Sequence, residues 1–150
     1  MTRSRMLVVA AVLTLSLLVP AAPSAADSPA QKMLRKVNAY RKHRGVPPVR
    51  MSRSLNHSSH RYARHMMRSG YFGHSRRIKA SRRFKRLGEI IEMHRGHRLD
   101  VRGALRAWAR SPGHNAILLD GSMKYAGAGP VKGRFHGRRT TMWVMHFGRK

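Results

Sequence analysis

Cysteine is absent from this chain and acidic residues are scarce: five Asp and Glu stand against 32 Lys and Arg, a net charge of +27 before histidines are counted. Without cysteine there are no disulfide staples and no thiolate chemistry, so stability has to come from an apolar core and backbone hydrogen bonds. Aromatic residues are only 7% of the chain, too few to suggest stacking platforms for single-stranded nucleic acid. The basic residues are spread along the whole length, so no sequence-specific nucleic-acid recognition is expected. Long hydrophobic runs are missing too. The longest, Met6 to Val19, is 14 residues, short of the roughly 20 that span a bilayer.

That short run has a telling setting. Arg3 and Arg5 precede it, and the small residues Ala21, Ala22, Ser24, Ala25 and Ala26 come after it, which is the layout of a cleavable signal peptide. Residues 1–26 are therefore expected to be removed near Ala26. The remainder, residues 27–150, suits one globular domain, secreted or held at the cell surface, with no transmembrane anchor after cleavage. Removing Arg3 and Arg5 leaves +25. Such a field attracts polyanions, and for an exported protein the nearest are anionic envelope polymers and lipid headgroups.

Local signals order the rest. Ser28-Pro29-Ala30-Gln31 reads as a capping box opening a helix, with Met33, Leu34, Val37 and Tyr40 at helical spacing until Gly45, Pro47 and Pro48 stop it. A second helix fits Ser52 to Ser69, with Leu55, Ser59, Tyr62, Ala63, Met66 and Met67 on one stripe and Gly70 at its end. The Arg-rich stretch up to Arg86 holds a short helix or a loop, and Leu87 to Met93 is the next ordered segment. Asp100 caps a third helix with Val101, Ala104, Leu105 and Trp108 on its buried stripe, ended by Ser111-Pro112-Gly113-His114. Tyr125 to Val131 and Thr140 to Phe147 read as strands, with Gly133 and Gly137 marking turns around a short middle strand. Helices first and an antiparallel meander last predict an α+β fold, with helices packed against one small sheet.

The acids carry the chemical information. The only glutamates, Glu89 and Glu92, lie three apart beside an apolar segment. Local pairing with Arg86, Arg95 or Arg98 accounts for them on composition alone. Convergence of a carboxylate with His74 and His114 would instead ligate a divalent metal or move a proton. His57 and His60 read as ordinary surface residues.

Four segments, taken in order, carry a resemblance. Val37-Asn38-Ala39-Tyr40-Arg41 with Gly45-Val46-Pro47 is followed by Phe72-Gly73-His74-Ser75, then Gly88-Glu89-Ile90-Ile91, then Trp108-Ala109-Arg110-Ser111-Pro112-Gly113-His114. Together they resemble the superfamily of cysteine-rich secretory, antigen 5 and pathogenesis-related proteins (CAP, or SCP-like), in its bacterial extracellular branch, over roughly Met33 to Gly148. The resemblance implies an α-β-α sandwich with a cleft in which His74, Glu89 and His114 match family cleft residues. A second family glutamate, just after the tryptophan of the last motif, has no counterpart among Ala109, Arg110 and Ser111, and Ile90 stands where an asparagine is usual.

Two imidazoles and one carboxylate would supply three zinc ligands and leave a position for water. No activated nucleophile can be assigned from the sequence. The expected function is thus a binding module for lipid, sterol or anionic envelope components. A metal-dependent hydrolase using His74, Glu89 and His114 with zinc is the alternative.

Overall fold

The computed structural model describes residues 26–150; all of the expected signal peptide but its last residue, Ala26, lies outside the described residues. Helix α1, Pro29–His43, starts as its sequence asks: the Ser28 hydroxyl accepts from the Gln31 amide (3.2 Å) and the Gln31 side chain accepts from the Ser28 amide (2.7 Å). Its buried face is Ala30, Met33, Val37 and, unexpectedly, Arg41. That guanidinium is fully buried and donates to the carbonyl oxygens of Pro47 (2.8 Å), Leu118 (2.5 Å), Asp120 (3.2 Å) and Met123 (3.4 Å). A buried cation is tolerable when its donors are satisfied in this way.

A two-residue strand β1, Arg50–Met51, leads into α2, Arg53–Ser69, which is capped by Ser52 and closed by Gly70 at φ +64°. Irregular chain then runs to strand β2, Arg86–Arg95. Helix α3, Val101–Arg110, begins at Asp100, whose carboxylate accepts from the Gly103 amide at 2.8 Å. Ser111-Pro112-Gly113-His114 ends α3 as expected but also opens a further helix, α4, Pro112–Leu118. Proline at a first helical position initiates as readily as proline elsewhere terminates. Strands β3, Tyr125–Phe135, and β4, Arg138–Arg149, complete the chain.

The expected middle strand between Gly133 and Gly137 does not form. Gly133 lies inside β3, which runs on to a tight turn at His136 and Gly137, both at positive φ (47° and 76°), the backbone that matches strand twist in two-residue hairpins. The sheet order is β1-β3-β4-β2, antiparallel except for the brief parallel β1–β3 pairing.

Strand periodicity divides the core into two. Ile90, Ala126, Ala128, Trp143, Met145 and Phe147 face Met33, Val37, Ala104, Trp108 and Leu118 of α1, α3 and α4. Ile91, Met142 and Val144 point the other way, onto Ala63 and Met66 of α2. The result is the α-β-α sandwich. On the α2 side, β3 presents glycines: a Cβ at Gly127 would sit 2.0 Å from the Asn56 nitrogen, and one at Gly129 would sit 2.2 Å from the His60 nitrogen. Only glycine lets the α2 backbone lie this close to the strand. Among the described residues, no helix is long and apolar enough to cross a membrane.

Candidate functional site

Sheet register builds the site. Glu89 on β2 sits directly opposite His146 on β4, and His146 opposite Gly127 on β3. All three fall on the α2 face, and because Gly127 has no side chain, the space beside His146 is filled by α2. There the Ser59 hydroxyl donates to Gly127 O (2.8 Å) and accepts from the His146 amide (3.1 Å). Ser58 Oγ lies 2.7 Å from His146 Nδ1.

A chain of contacts runs outward from this point. His146 Nε2 is 2.8 Å from Glu89 Oε2; Glu89 Oε1 is 2.9 Å from His74 Nδ1 and accepts from the Ser75 amide at 2.8 Å. His74 Nε2 is 3.3 Å from His114 Nε2, the rings tilted at 57°. Ser58, His146 and Glu89 are buried, whereas the His74 side chain is 56% exposed.

Proton placement follows from what each group can do. Burial opposes the Glu89 charge, but the bonds from His146, the Ser75 amide and His74 outweigh it and hold the carboxyl below its ordinary range. An ionised carboxylate only accepts, so His146 Nε2 and His74 Nδ1 each present it a hydrogen. In the neutral rings that leaves His146 Nδ1 to accept from the Ser58 hydroxyl, and the His74 Nε2 lone pair directed toward His114. Burial, together with His74, pulls His114 down, with Glu89 partly offsetting them. Tyr62 is pushed up to about 12, first by burial and then by Glu89 and Tyr71. As a neutral donor it bonds Gly73 O at 2.6 Å and so fixes the segment that carries His74.

The three residues singled out from sequence do come together. Three kinds of backbone carry them: Glu89 is within strand β2, His114 is in the first turn of α4, and His74 is in irregular chain. Arg86 pairs with Asp120 (2.9 Å), not with Glu89, and Glu92 bonds His94 on the other face of the sheet. Sequence reasoning misses Ser58 and His146. A signal for His146 exists: it is the one titratable side chain in Met142-Trp143-Val144-Met145-His146-Phe147, and a buried strand tolerates such a residue only with a partner.

A cavity of about 680 Å³ adjoins this chain of contacts. One wall is the Ser58, Arg61, Tyr62 and His65 face of α2, four positions at helical spacing, and Tyr71 to Lys79 form much of the other, with His146 also lining it. Among the described residues, no group of three or more His, Cys, Asp or Glu is arranged to hold a metal ion.

The model of the cysteine-rich secretory protein family (CAP) matches residues 34–147. No curated protein sequence gives a match. Solved structures share the fold. An extracellular SCP-domain protein of Bacillus anthracis superposes with a TM-score of 0.65 at 21% identity, covering 81% of this chain and 40% of that one. An outer surface protein of Borrelia burgdorferi gives 0.66 at 17%, covering 79% and 90%. Venom allergen-like protein 4 of Schistosoma mansoni gives 0.61 at 12%, covering 83% and 90%. This chain thus spans less than half the length of the Bacillus protein, and at these identities the likeness is one of fold.

Proposed function

Because the chain belongs to the cysteine-rich secretory protein (CAP) family, we propose that it is a secreted or cell-surface binding domain, residues 27–150 after loss of a signal peptide, whose ligand enters the cavity beside His74, Glu89 and His114. The observation that carries this reading is the makeup of the cavity. Arg61, Arg76, Arg77 and Lys79 share about 680 Å³ with Tyr62, Tyr71 and Ile78. Cationic groups set beside aromatic and aliphatic ones favour an anionic lipid or an anionic envelope component over an uncharged sterol. The relatives described as extracellular or outer-surface proteins agree with an exported role.

The test is retention of the purified protein on vesicles of anionic phospholipid, of phosphatidylcholine, and of phosphatidylcholine with sterol, and on an anionic wall polymer, each across a salt series. Binding to the anionic surfaces should dominate and fall steeply with salt. Charge reversal of Arg76 and Arg77 together should weaken it further. Equal retention on neutral sterol vesicles would overturn the anionic preference.

One observation favours a metal as well. His74 Nε2 and His114 Nε2 are 3.3 Å apart, the spacing of two ligands each about 2.0–2.1 Å from a tetrahedral zinc. These two nitrogens would hold the ion, with Glu89 behind His74 orienting its ring. Bound zinc supplies a Lewis acid and an acidified water. Both Glu89 oxygens serve protein donors, so the donor set in place is two nitrogens where catalytic zinc centres use three protein ligands. That suits reversible ligation better than hydrolysis, and a metal-dependent hydrolase stays the second reading. His74→Ala and His114→Ala should each abolish zinc binding in calorimetry, with the double variant little worse. Independent, additive losses would place the two residues in separate sites.

A further inference from the structure

We propose that Ser58 is a nucleophile activated by His146 and Glu89, making the cavity an acyl-transfer site for esters that carry an anionic group. This goes beyond the binding reading and needs no metal. A serine hydroxyl reacts only when a neighbouring base takes its proton and a third group orients that base. Here Ser58 Oγ is 2.7 Å from His146 Nδ1, and His146 Nε2 is 2.8 Å from Glu89 Oε2. The carboxylate accepts at Nε2, so Nδ1 is the nitrogen left to receive a proton. The hydroxyl has one hydrogen and two takers, since Leu55 O also lies 3.0 Å away; the contact to His146 is the shorter.

Burial gives this geometry weight. Ser58, His146 and Glu89 are 3%, 1% and 7% exposed, and taking three polar groups out of water is unfavourable where apolar side chains of similar size would pack as well. Ser58 and His146 nevertheless border the cavity, so the hydroxyl is next to space that a substrate can fill. Arg61 and Tyr62 follow Ser58 by three and four positions on the same helical face. Arg61 is fixed by donating to Lys79 O at 2.6 Å and has further N–H groups for a developing oxyanion. Arg76, Arg77 and Lys79 supply the attraction for an anionic substituent, and Ile78 and Tyr71 an apolar wall.

The chemistry balances without a further reagent. Ser58 Oγ bonds to the carbonyl carbon as its proton passes to His146 Nδ1, and the carbonyl π pair moves onto oxygen. Collapse breaks the bond to the alcohol oxygen, which leaves with the proton from His146. Water then attacks the acyl-serine, giving its proton to the same nitrogen, and releases the acid with Ser58 restored.

The first measurement is labelling of the purified protein by an alkyl fluorophosphonate in the presence of a chelator, with the adduct located by fragmentation of the Ser54–Arg61 tryptic peptide. A single adduct on Ser58 is expected, not on Ser59 or Ser54. It should vanish in Ser58→Ala and form about 100-fold more slowly or worse in His146→Gln and Glu89→Gln, each checked for folding by its thermal transition. If His146→Gln does not fold, the wild type and Ser58→Ala decide. A folded wild-type protein that takes no label at Ser58, or a His146→Gln variant labelled at the wild-type rate, overturns the proposal. The second measurement compares the 4-nitrophenyl monoester of adipic acid with 4-nitrophenyl hexanoate, each relative to its spontaneous rate. The anionic ester should be favoured about tenfold at low salt, with the advantage shrinking as salt screens it. Equal enhancement removes the anionic preference. Wild-type protein that is retained on anionic vesicles yet takes no label at Ser58 sinks this proposal and leaves the binding reading standing.

Discussion

Glu89 and Glu92 lie three residues apart on one strand, each nearly buried and each bonded to histidine, yet their carboxyls move in opposite directions. Burial pushes both up. At Glu89 it is outweighed by bonds from His146, the Ser75 amide and His74, and the net shift is down. At Glu92 the bonds from His94, at 3.0 and 3.1 Å, offset burial only in part, Asp100 adds repulsion, and the net shift is up. Proximity to histidine therefore does not decide whether a buried carboxyl keeps its charge; the number of donors converging on it does. The two sites differ in use as well. His94 donates from Nε2 to Arg98 O at 2.8 Å, tying the entrance of α3 to the sheet, whereas Glu89 faces α2 and the cavity.

Removing each carboxyl is the strongest way to break this contrast. Glu89→Ala leaves two imidazole donors and a backbone amide without their acceptor in or near the interior. It should lower unfolding stability at neutral pH by about 3 kcal/mol, against about 1 kcal/mol for Glu92→Ala, as read from denaturant titrations. Similar losses would mean that the two pairs are equivalent after all. Coupling is the next effect in size. Glu89→Ala and His146→Ala should be non-additive by about 1–2 kcal/mol, while Glu92→Ala and His146→Ala, on opposite faces of the sheet, should simply add.

Acidity sharpens the comparison with smaller effects of opposite sign. The Glu89 carboxyl is lowered in the native state, so its contribution is complete above the ordinary carboxylate value of 4.5 and is lost as pH falls through the native value. Glu92 is raised, so the proton-linked part of its contribution is complete below 4.5 and is lost as pH rises through its native value, which leaves the bonds to His94. Thermal midpoints measured across that range should show Glu89→Gln converging on the wild type in acid and the Glu92→Gln deficit shrinking toward neutrality. The reverse pattern would show that the donor count had been misjudged.

Much of the fold is legible in the sequence because its signals are local. Ser28, Ser52 and Asp100 cap helices where they stand in sequence, and the apolar stripes of α1, α2 and α3 follow helical spacing. Ser111-Pro112 reads as a stop because Pro and Gly more often break helices than begin them. Arg41 inside the core is unexpected, since three of its four carbonyl partners, Leu118, Asp120 and Met123, lie about 80 residues away in sequence, at the end of α4 and in the chain beyond it. His74, Glu89 and His114 are found through the order of their motifs, not through any spacing among themselves. His146 is out of reach for a topological reason: β2 joins β4 only through α3, α4 and β3, so no turn sets which residue faces Glu89. The supposed middle strand also hides the length of the final hairpin. Ser58, one residue from the Ser59 of the buried stripe, acquires its meaning only once His146 is placed.

The close seating of α2 on Gly127 and Gly129 makes the two walls of the cavity unequal in time. The helix carries Ala63 and Met66 into the core, so its amides should exchange with solvent only when the whole molecule opens. The facing stretch, residues 71–85, contains no helix or strand. It is laced to α2 by Tyr62 to Gly73 O, Arg61 to Lys79 O, and the Ser81 amide to Ser54 Oγ at 2.8 Å. It is also tied to the sheet, through His74 and the Ser75 amide to Glu89 and through the Lys85 amide to Arg149 O, so lifting it releases those bonds while the ladder between the strands stays paired. Under the proposed binding role, deuterium uptake along residues 71–85 should slow when a ligand occupies the cavity, while uptake in α2 stays unchanged.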